Sequence, residues 1–181
     1  ENRFAAGAAQ DPSQGLTDLG RRALRRMGDL GMLADVSHLN DSGFWEVLEL
    51  AHGPVIASHS NCRALCDVPR NLTDEQLRRL RDCGGVVGLN AHYKFVHQDP
   101  ERQTAETLAL HAAHMAEVMG VEHVACGFDF CEFMGPGNDA VRGLEDCGHA
   151  MAFLDCLEHL GMSAKEREMI SRENLLRIFQ V

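Results

Sequence analysis

Two histidines and an aspartate are the residues of this chain whose types and spacing could do chemistry. Asp35-Val36-Ser37-His38 closes one apolar run, Ser58-His59-Ser60-Asn61 closes the next, and Gly127-Phe128-Asp129 closes a later one. His38 and His59 are 21 residues apart, one strand-plus-helix unit. If both runs are strands they are neighbours about 4.8 Å apart, and two imidazoles at that spacing can share one metal ion. Neutral imidazole nitrogen suits zinc, at about 2.0–2.1 Å. Asp35, Ser37 and Ser58 lie where they could orient the rings. A single histidine at a strand end is usually a satisfied polar residue. Two on consecutive strands, with an aspartate ending a third, point to metal.

A catalytic zinc takes three protein ligands and a water, and the spacing offers no third histidine. His92, His97, His111, His114 and His123 qualify only by element, and His111 and His114 fall inside a helical run. His52, His149 and His159 read as residues of helical faces. Asp129 is open to three roles: metal ligand, proton carrier or anchor for an amine. Arg70, followed by Asn71, stands in a loop where a guanidinium could hold a carboxylate through two parallel hydrogen bonds. Spacing alone favours a surface pair with Asp67 or Asp74 instead. Cys126 and Cys131 flank Asp129, but no base stands at a telling distance, so they read as small buried residues.

The elements that would position these residues alternate. Thr17 caps a helix carrying Leu19, Leu24, Met27 and Leu30, and Gly31 ends it. Met32–Ser37, Val55–Ser58, Val86–Leu89 and His123–Phe128 read as strands. Between them, residues 41–51, a helix opened by the capping box Thr73-x-x-Gln76, and Thr104–Met119 read as helices. Helices over about 144–160, from Ser163-x-x-Glu166, and over about 172–179 close the chain. Residues 1–16 read as an irregular lead-in, and the stretches after the third and fourth strands as long loops. Such alternation implies a parallel sheet with its site at the carboxyl ends of the strands.

Composition sets bounds. The chain has 181 residues, 45% hydrophobic and 24% charged, with a formal net charge of -10. That suffices for a single domain, residues 1–181, but is short of the roughly 250 residues of a complete eight-fold β/α barrel. The acidic balance argues against nucleic acid, and no apolar run reaches the roughly 20 residues of a membrane span. Seven cysteines, an odd number without a CxxC pair, fit reduced thiols in a cytoplasm better than a disulfide framework.

On longer stretches the chain resembles the membrane dipeptidase (renal dipeptidase) family of zinc peptidases, within the amidohydrolase-like hydrolases. The stretches are GLTDLG (15–20), LGMLADVSHLND (30–41), PVIASHSNCRAL (54–65), RNLTDEQL (70–77), GGVVGLN (84–90), GVEHVACGFDF (120–130) and ENLLRIF (173–179). The resemblance implies an α/β (β/α)8 barrel of the TIM type, of which this chain supplies about four units, strands five to eight. It implies two zinc ions per complete site and hydrolysis of dipeptides. His38 and His59 correspond to the histidines of the second zinc, Arg70 to a substrate-contacting arginine, and Asp129 to a strand-eight aspartate that binds the substrate amine or handles protons. Asn71 and Tyr93 are carried as further substrate contacts.

There are departures from the family pattern. The aspartate of a family G-x-DFDG stretch is Cys131 here, and a pocket tyrosine is replaced by His92 with Tyr93 adjacent. The family's first-strand His-x-Asp, its bridging glutamate and a further histidine correspond to positions upstream of Glu1, and neither Glu1 nor Glu132 matches them by motif. The expectation is therefore half of a dipeptidase site, inactive by itself, with a dipeptide as ligand, no nucleic acid or membrane partner, and a homodimer as the assembly. The competing expectations are a non-catalytic βα domain that binds a ligand or partner, and another amidohydrolase activity such as a deaminase or lactonase.

Overall fold

A computed structural model describes residues 2–179; Glu1 lies outside them. The first helix, α1 (Asp18–Asp29), starts where Thr17 accepts a hydrogen bond from the Gly20 N–H. It leads to β1 (Ala34–Asp35), α2 (Asp41–Leu50), β2 (Val55–Ala57), α3 (Asp74–Asp82) and β3 (Val86–Asn90). Then follow a one-turn α4 (Tyr93–Val96), the long α5 (Ala105–Met119) and β4 (Val124–Phe128). The chain closes with α6 (Ala150–His159), α7 (Ala164–Glu168), a π-turn over Met169–Glu173 and α8 (Asn174–Phe179). Both expected capping boxes form, at Thr73/Gln76 and Ser163/Glu166.

The four strands are parallel and lie in chain order, β1-β2-β3-β4. This is an unclosed, barrel-like sheet, part of a (β/α)8 barrel. Strands are shorter than the apolar runs: the first covers two residues where the sequence suggested six, because Val36 to His38 already turn toward the site. The expected loop after β3 contains α4 and a short helical turn at Pro100–Arg102, and the helix expected from 144 starts properly only at Ala150.

Alternation along the strands sorts residues to two faces. Ala34, Val55, Ala57, Val87, Leu89 and Val124 belong to the main core with the helices. Ile56, Val86 and Ala125 point the other way, into a smaller cluster with Leu33, Leu175 and Ile178. So α8 covers the amino-terminal end of the inner face with apolar side chains. Farther along that same face stand Asp35, Ser58, Asn90 and Asp129. The inner face thus changes from apolar to polar along the strand direction, which puts the polar residues at the carboxyl edge.

His111, fully buried on α5, secures the loop after β2. Its Nδ1 accepts from the Cys62 N–H at 3.1 Å, so its Nε2–H donates to the Val96 carbonyl at 2.9 Å. Burial pushes its pKa down to about 4, against the smaller opposing effect of the Val96 bond. As pH falls, the unfolded chain takes up this proton first. The neutral ring's stabilisation is therefore present above its unfolded pKa of about 6.5 and is lost, up to about 3 kcal/mol, as pH drops through its folded value of about 4. Urea unfolding of wild type and His111→Gln should show a stability difference that shrinks across that window. A difference independent of pH would contradict a neutral His111.

Candidate metal centre

His38, His59 and Asp129 meet at the carboxyl edge, with one ligand atom from each lying within 4.8 Å of the others. The two Nε2 atoms are 2.9 Å apart, and Asp129 Oδ2 is 3.7 Å from His59 Nε2. Two donors sharing a tetrahedral zinc at about 2.0–2.1 Å would stand about 3.3 Å apart. The donor set, its spacing and its chemistry fit a single zinc ion.

Local backbone conformation delivers these groups. His38 (φ 75°), Phe128 (φ 45°) and Asp129 (φ 59°) adopt the left-handed region, which costs a non-glycine residue roughly 1 kcal/mol. At β4 the register with β3 shifts between Leu89 and Asn90, and this irregularity turns Asp129 inward. Asn90 then holds it: the Asn90 amide donates to Asp129 Oδ2 at 3.2 Å and to the His59 carbonyl at 3.4 Å.

The end of β2 sits unusually deep. A β-carbon on Gly88 would lie 2.1 Å from the Ser58 carbonyl oxygen, and one on Gly127 would lie 2.0 Å from it. Only glycine on both β3 and β4 leaves room for the strand end that carries His59. Ser58 Oγ contacts His59 Nδ1 at 2.6 Å and donates to Asp35 Oδ2 at 2.5 Å.

Arg70 does not pair with Asp67 or Asp74, as bare spacing favoured. Asp74 instead bonds His114 at 2.7 Å. The Arg70 guanidinium lies over the Phe95 ring, 5.5 Å from its centroid, and donates to Ser60 Oγ and to the His59 carbonyl. Its Nε–H is buried and has no partner among the described residues. Asn71 is buried and gives its amide to the Cys66 and Phe95 carbonyls, both at 2.8 Å. Tyr93 stacks on His92, 5.0 Å between centroids, with the Lys94 ammonium over its ring.

The other histidines considered as ligands have structural partners: His92 and His97 accept from nearby backbone amides, and His123 bonds the Gly85 carbonyl. The third member of the cluster is thus the aspartate. A cavity of about 730 Å³ opens beside it, lined by Asp35, Ser37, His38, Arg70, Phe95 and residues of the lead-in between Ala5 and Gln10. Nothing in the lead-in's composition marked it as a wall of the site.

Both imidazoles are held below the ordinary histidine range. Burial is the largest cause for each; the Arg70 charge adds to it, while Asp129 and Asp35 oppose it. Neutral rings are the form that binds metal. All seven cysteines are free. Burial pushes Cys126 up to about 12, which agrees with a packing role. Among the described residues no helix is long and apolar enough to cross a membrane.

The family model for membrane dipeptidase, peptidase family M19, matches residues 1–181. This chain belongs to that family. It is 41% identical over 138 residues to a protein of the pqqA 5' region of Klebsiella pneumoniae, covering 71% of this chain and 51% of that protein. It is 33% identical to an uncharacterized dipeptidase of Schizosaccharomyces pombe, covering 99% of this chain and 44% of the relative. A metallopeptidase from Rhodobacter sphaeroides, solved with a phosphinate mimic of the dipeptide L-Ala-D-Ala, superposes with a TM-score of 0.88 at 30% identity, over 99% of this chain and 52% of its own. The chain therefore spans about half the length of these relatives. Its fold is that of an M19 zinc metallopeptidase, with a partial metal site.

The glycine packing yields a test. Gly127→Ala places a methyl group where the Ser58 carbonyl is, so β2 must retreat. The expected cost is about 1–3 kcal/mol of stability, read by urea unfolding, with weaker zinc binding because His59 moves with the strand.

Proposed function

We propose that His38, His59 and Asp129 hold one zinc ion of a dipeptidase centre, and that the whole protein hydrolyses dipeptides at a two-zinc site to which this chain gives the ligands of one ion. The meeting of two neutral imidazoles and a carboxylate at the strand edge, in an M19 chain, carries this reading. Zinc, when bound, supplies Lewis acidity toward the peptide carbonyl.

The chain's own groups do the remaining work. Arg70, which lines the cavity, holds the substrate carboxylate through its guanidinium. Asp129, turned toward the two histidines by its left-handed backbone, completes the ion's ligand set in this chain alone. In the whole enzyme it takes the substrate amine or passes a proton to the leaving amine. Asn71 acts from behind, tying the Arg70 loop to the Phe95 segment. His92 and Tyr93 form a wall near the carboxylate end. Anchoring both termini fixes the carbonyl of a short peptide for attack.

The dipeptide class is carried over from the substrate mimic bound by the Rhodobacter sphaeroides relative. The 181 residues alone should bind an ion without appreciable turnover, since the described residues hold a single cluster of this kind. Zinc analysis of the purified chain should give one ion per chain, lost in the His38→Ala, His59→Ala double variant. Zinc content unchanged in that variant means that these histidines do not hold the ion and favours a non-catalytic binding domain. Release of amino acids from dipeptides by the chain alone would overturn its inactivity.

For the whole reaction, the chain can be joined to the other half of the Rhodobacter sphaeroides enzyme. That chimera should cleave dipeptides, and Arg70→Ala should lower kcat/KM by about 30-fold or more, about 2 kcal/mol. The loss should be much smaller for a dipeptide amide, which lacks the carboxylate.

A further inference from the structure

We propose that Asp35 and Ser58 are positioning residues that fix His59 as its Nδ1–H tautomer, and that His38 carries the complementary Nε2–H when no ion is bound. The proposal rests on the metal reading for its purpose, but its geometry stands without it.

The hydrogens available between Asp35, Ser58 and the two rings decide the arrangement. Asp35 Oδ1 accepts two backbone N–H groups, from Ser37 and from Ser58, each at 3.0 Å. This pins the carboxylate between β1 and β2 and leaves Oδ2 to accept the Ser58 hydroxyl at 2.5 Å. A hydroxyl has one hydrogen. With that hydrogen on Asp35, Ser58 Oγ can only accept from His59 Nδ1, 2.6 Å away. A neutral imidazole has one N–H, so His59 Nε2 is bare and its lone pair faces the cluster. The two Nε2 atoms are 2.9 Å apart, and two bare nitrogens at that distance repel. His38 therefore donates its Nε2–H to His59.

An ion entering the cluster consequently finds one ligand ready and one that must shift its proton. His59 is held by the relay and by its own N–H, which donates to Ser37 Oγ at 3.0 Å. His38, on a left-handed residue, has to move its proton from Nε2 to Nδ1 or release it. Asp35 thus fixes the tautomer of His59 through Ser58, a relay that His38 does not have.

The test is the ring protonation of the metal-free chain, read by two-bond proton–nitrogen correlation at mildly alkaline pH, where both rings are neutral. Wild type should show His59 protonated on Nδ1 and His38 on Nε2. In Asp35→Asn the two backbone amides still claim Oδ1, so the side-chain NH2 takes the place of Oδ2 and cannot accept. Ser58 must then turn its hydrogen toward His59, and the His59 proton moves to Nε2. Zinc affinity, measured by competition with a chromophoric chelator, should fall roughly 10–100-fold.

Ser58→Ala should lose the fixed tautomer and Ser58→Thr should keep it. That pair decides the matter if Asp35→Asn fails to fold. A His59 that carries its proton on Nε2 in wild type, or keeps Nδ1–H in both Asp35→Asn and Ser58→Ala, overturns the relay. Wild type that binds no zinc while its tautomer still follows Asp35 upholds the relay and removes the metal reading instead.

Discussion

The close approach of the Ser58 carbonyl to two strands at once is the constraint on which the site depends. Its oxygen fills the space where β-carbons of Gly88 and Gly127 would be. A glycine inside a strand costs roughly 0.5–1 kcal/mol against alanine, and here the cost falls on adjacent strands. In return, the end of β2 folds inward over β3 and β4. That brings Ser58 Oγ between Asp35 and His59, and it presents the His59 carbonyl to both Arg70 and Asn90. A side chain at either glycine would push the Ser58 carbonyl, and with it the strand end that carries His59, away from β3 and β4.

A polar edge of this kind needs its buried groups satisfied, since an orphaned donor or acceptor costs about 1–3 kcal/mol. The buried asparagines do this. Asn61 donates to the Asn90 and Phe95 carbonyls while its own carbonyl takes the Asn90 N–H. Asn90 Oδ1 takes the His92 N–H. The network joins the loops after β2 and β3 beneath the site. Below it, α8 and the small apolar cluster around Ile178 close the inner face. The rigid part of the edge is thus hydrogen-bonded from the side and packed from below.

Much of this was legible in the sequence. The βα order, both capping boxes and the strand-end positions of His38, His59 and Asp129 follow from local rules: hydrophobic period, caps and the geometry of parallel sheets. The family stretches added the role of Arg70, which spacing alone assigned to a surface pair. Two things were not legible. The Ser58 contact depends on the curvature of the sheet, and a glycine in a strand does not reveal which backbone atom will approach it. Nor did the lead-in announce itself as a wall of the cavity, because Ala5 to Gln10 have no chemistry of their own and matter only through where Leu39 and Leu16 pair with them. Asp129 was read as open to three roles, metal ligand among them, because the β3–β4 register shift that turns it toward the two histidines does not show in the sequence.

Arg70 shows how the electrostatics and the fold agree. A guanidinium beside a metal position repels the ion, yet this one is half-sunk against Phe95 and faces the cluster with the His59 carbonyl between. Its charge helps to hold both imidazoles unprotonated, which removes the proton that competes with the ion. Asp129 and Asp35 act in the opposite sense on the rings, but each is a partner that an entering cation or its ligands can use: Asp129 directly and Asp35 through Ser58. The two carboxylates outweigh the one guanidinium by a single negative charge. The site is therefore neutral at its ligand nitrogens and negative around them. That combination favours a divalent cation over a proton.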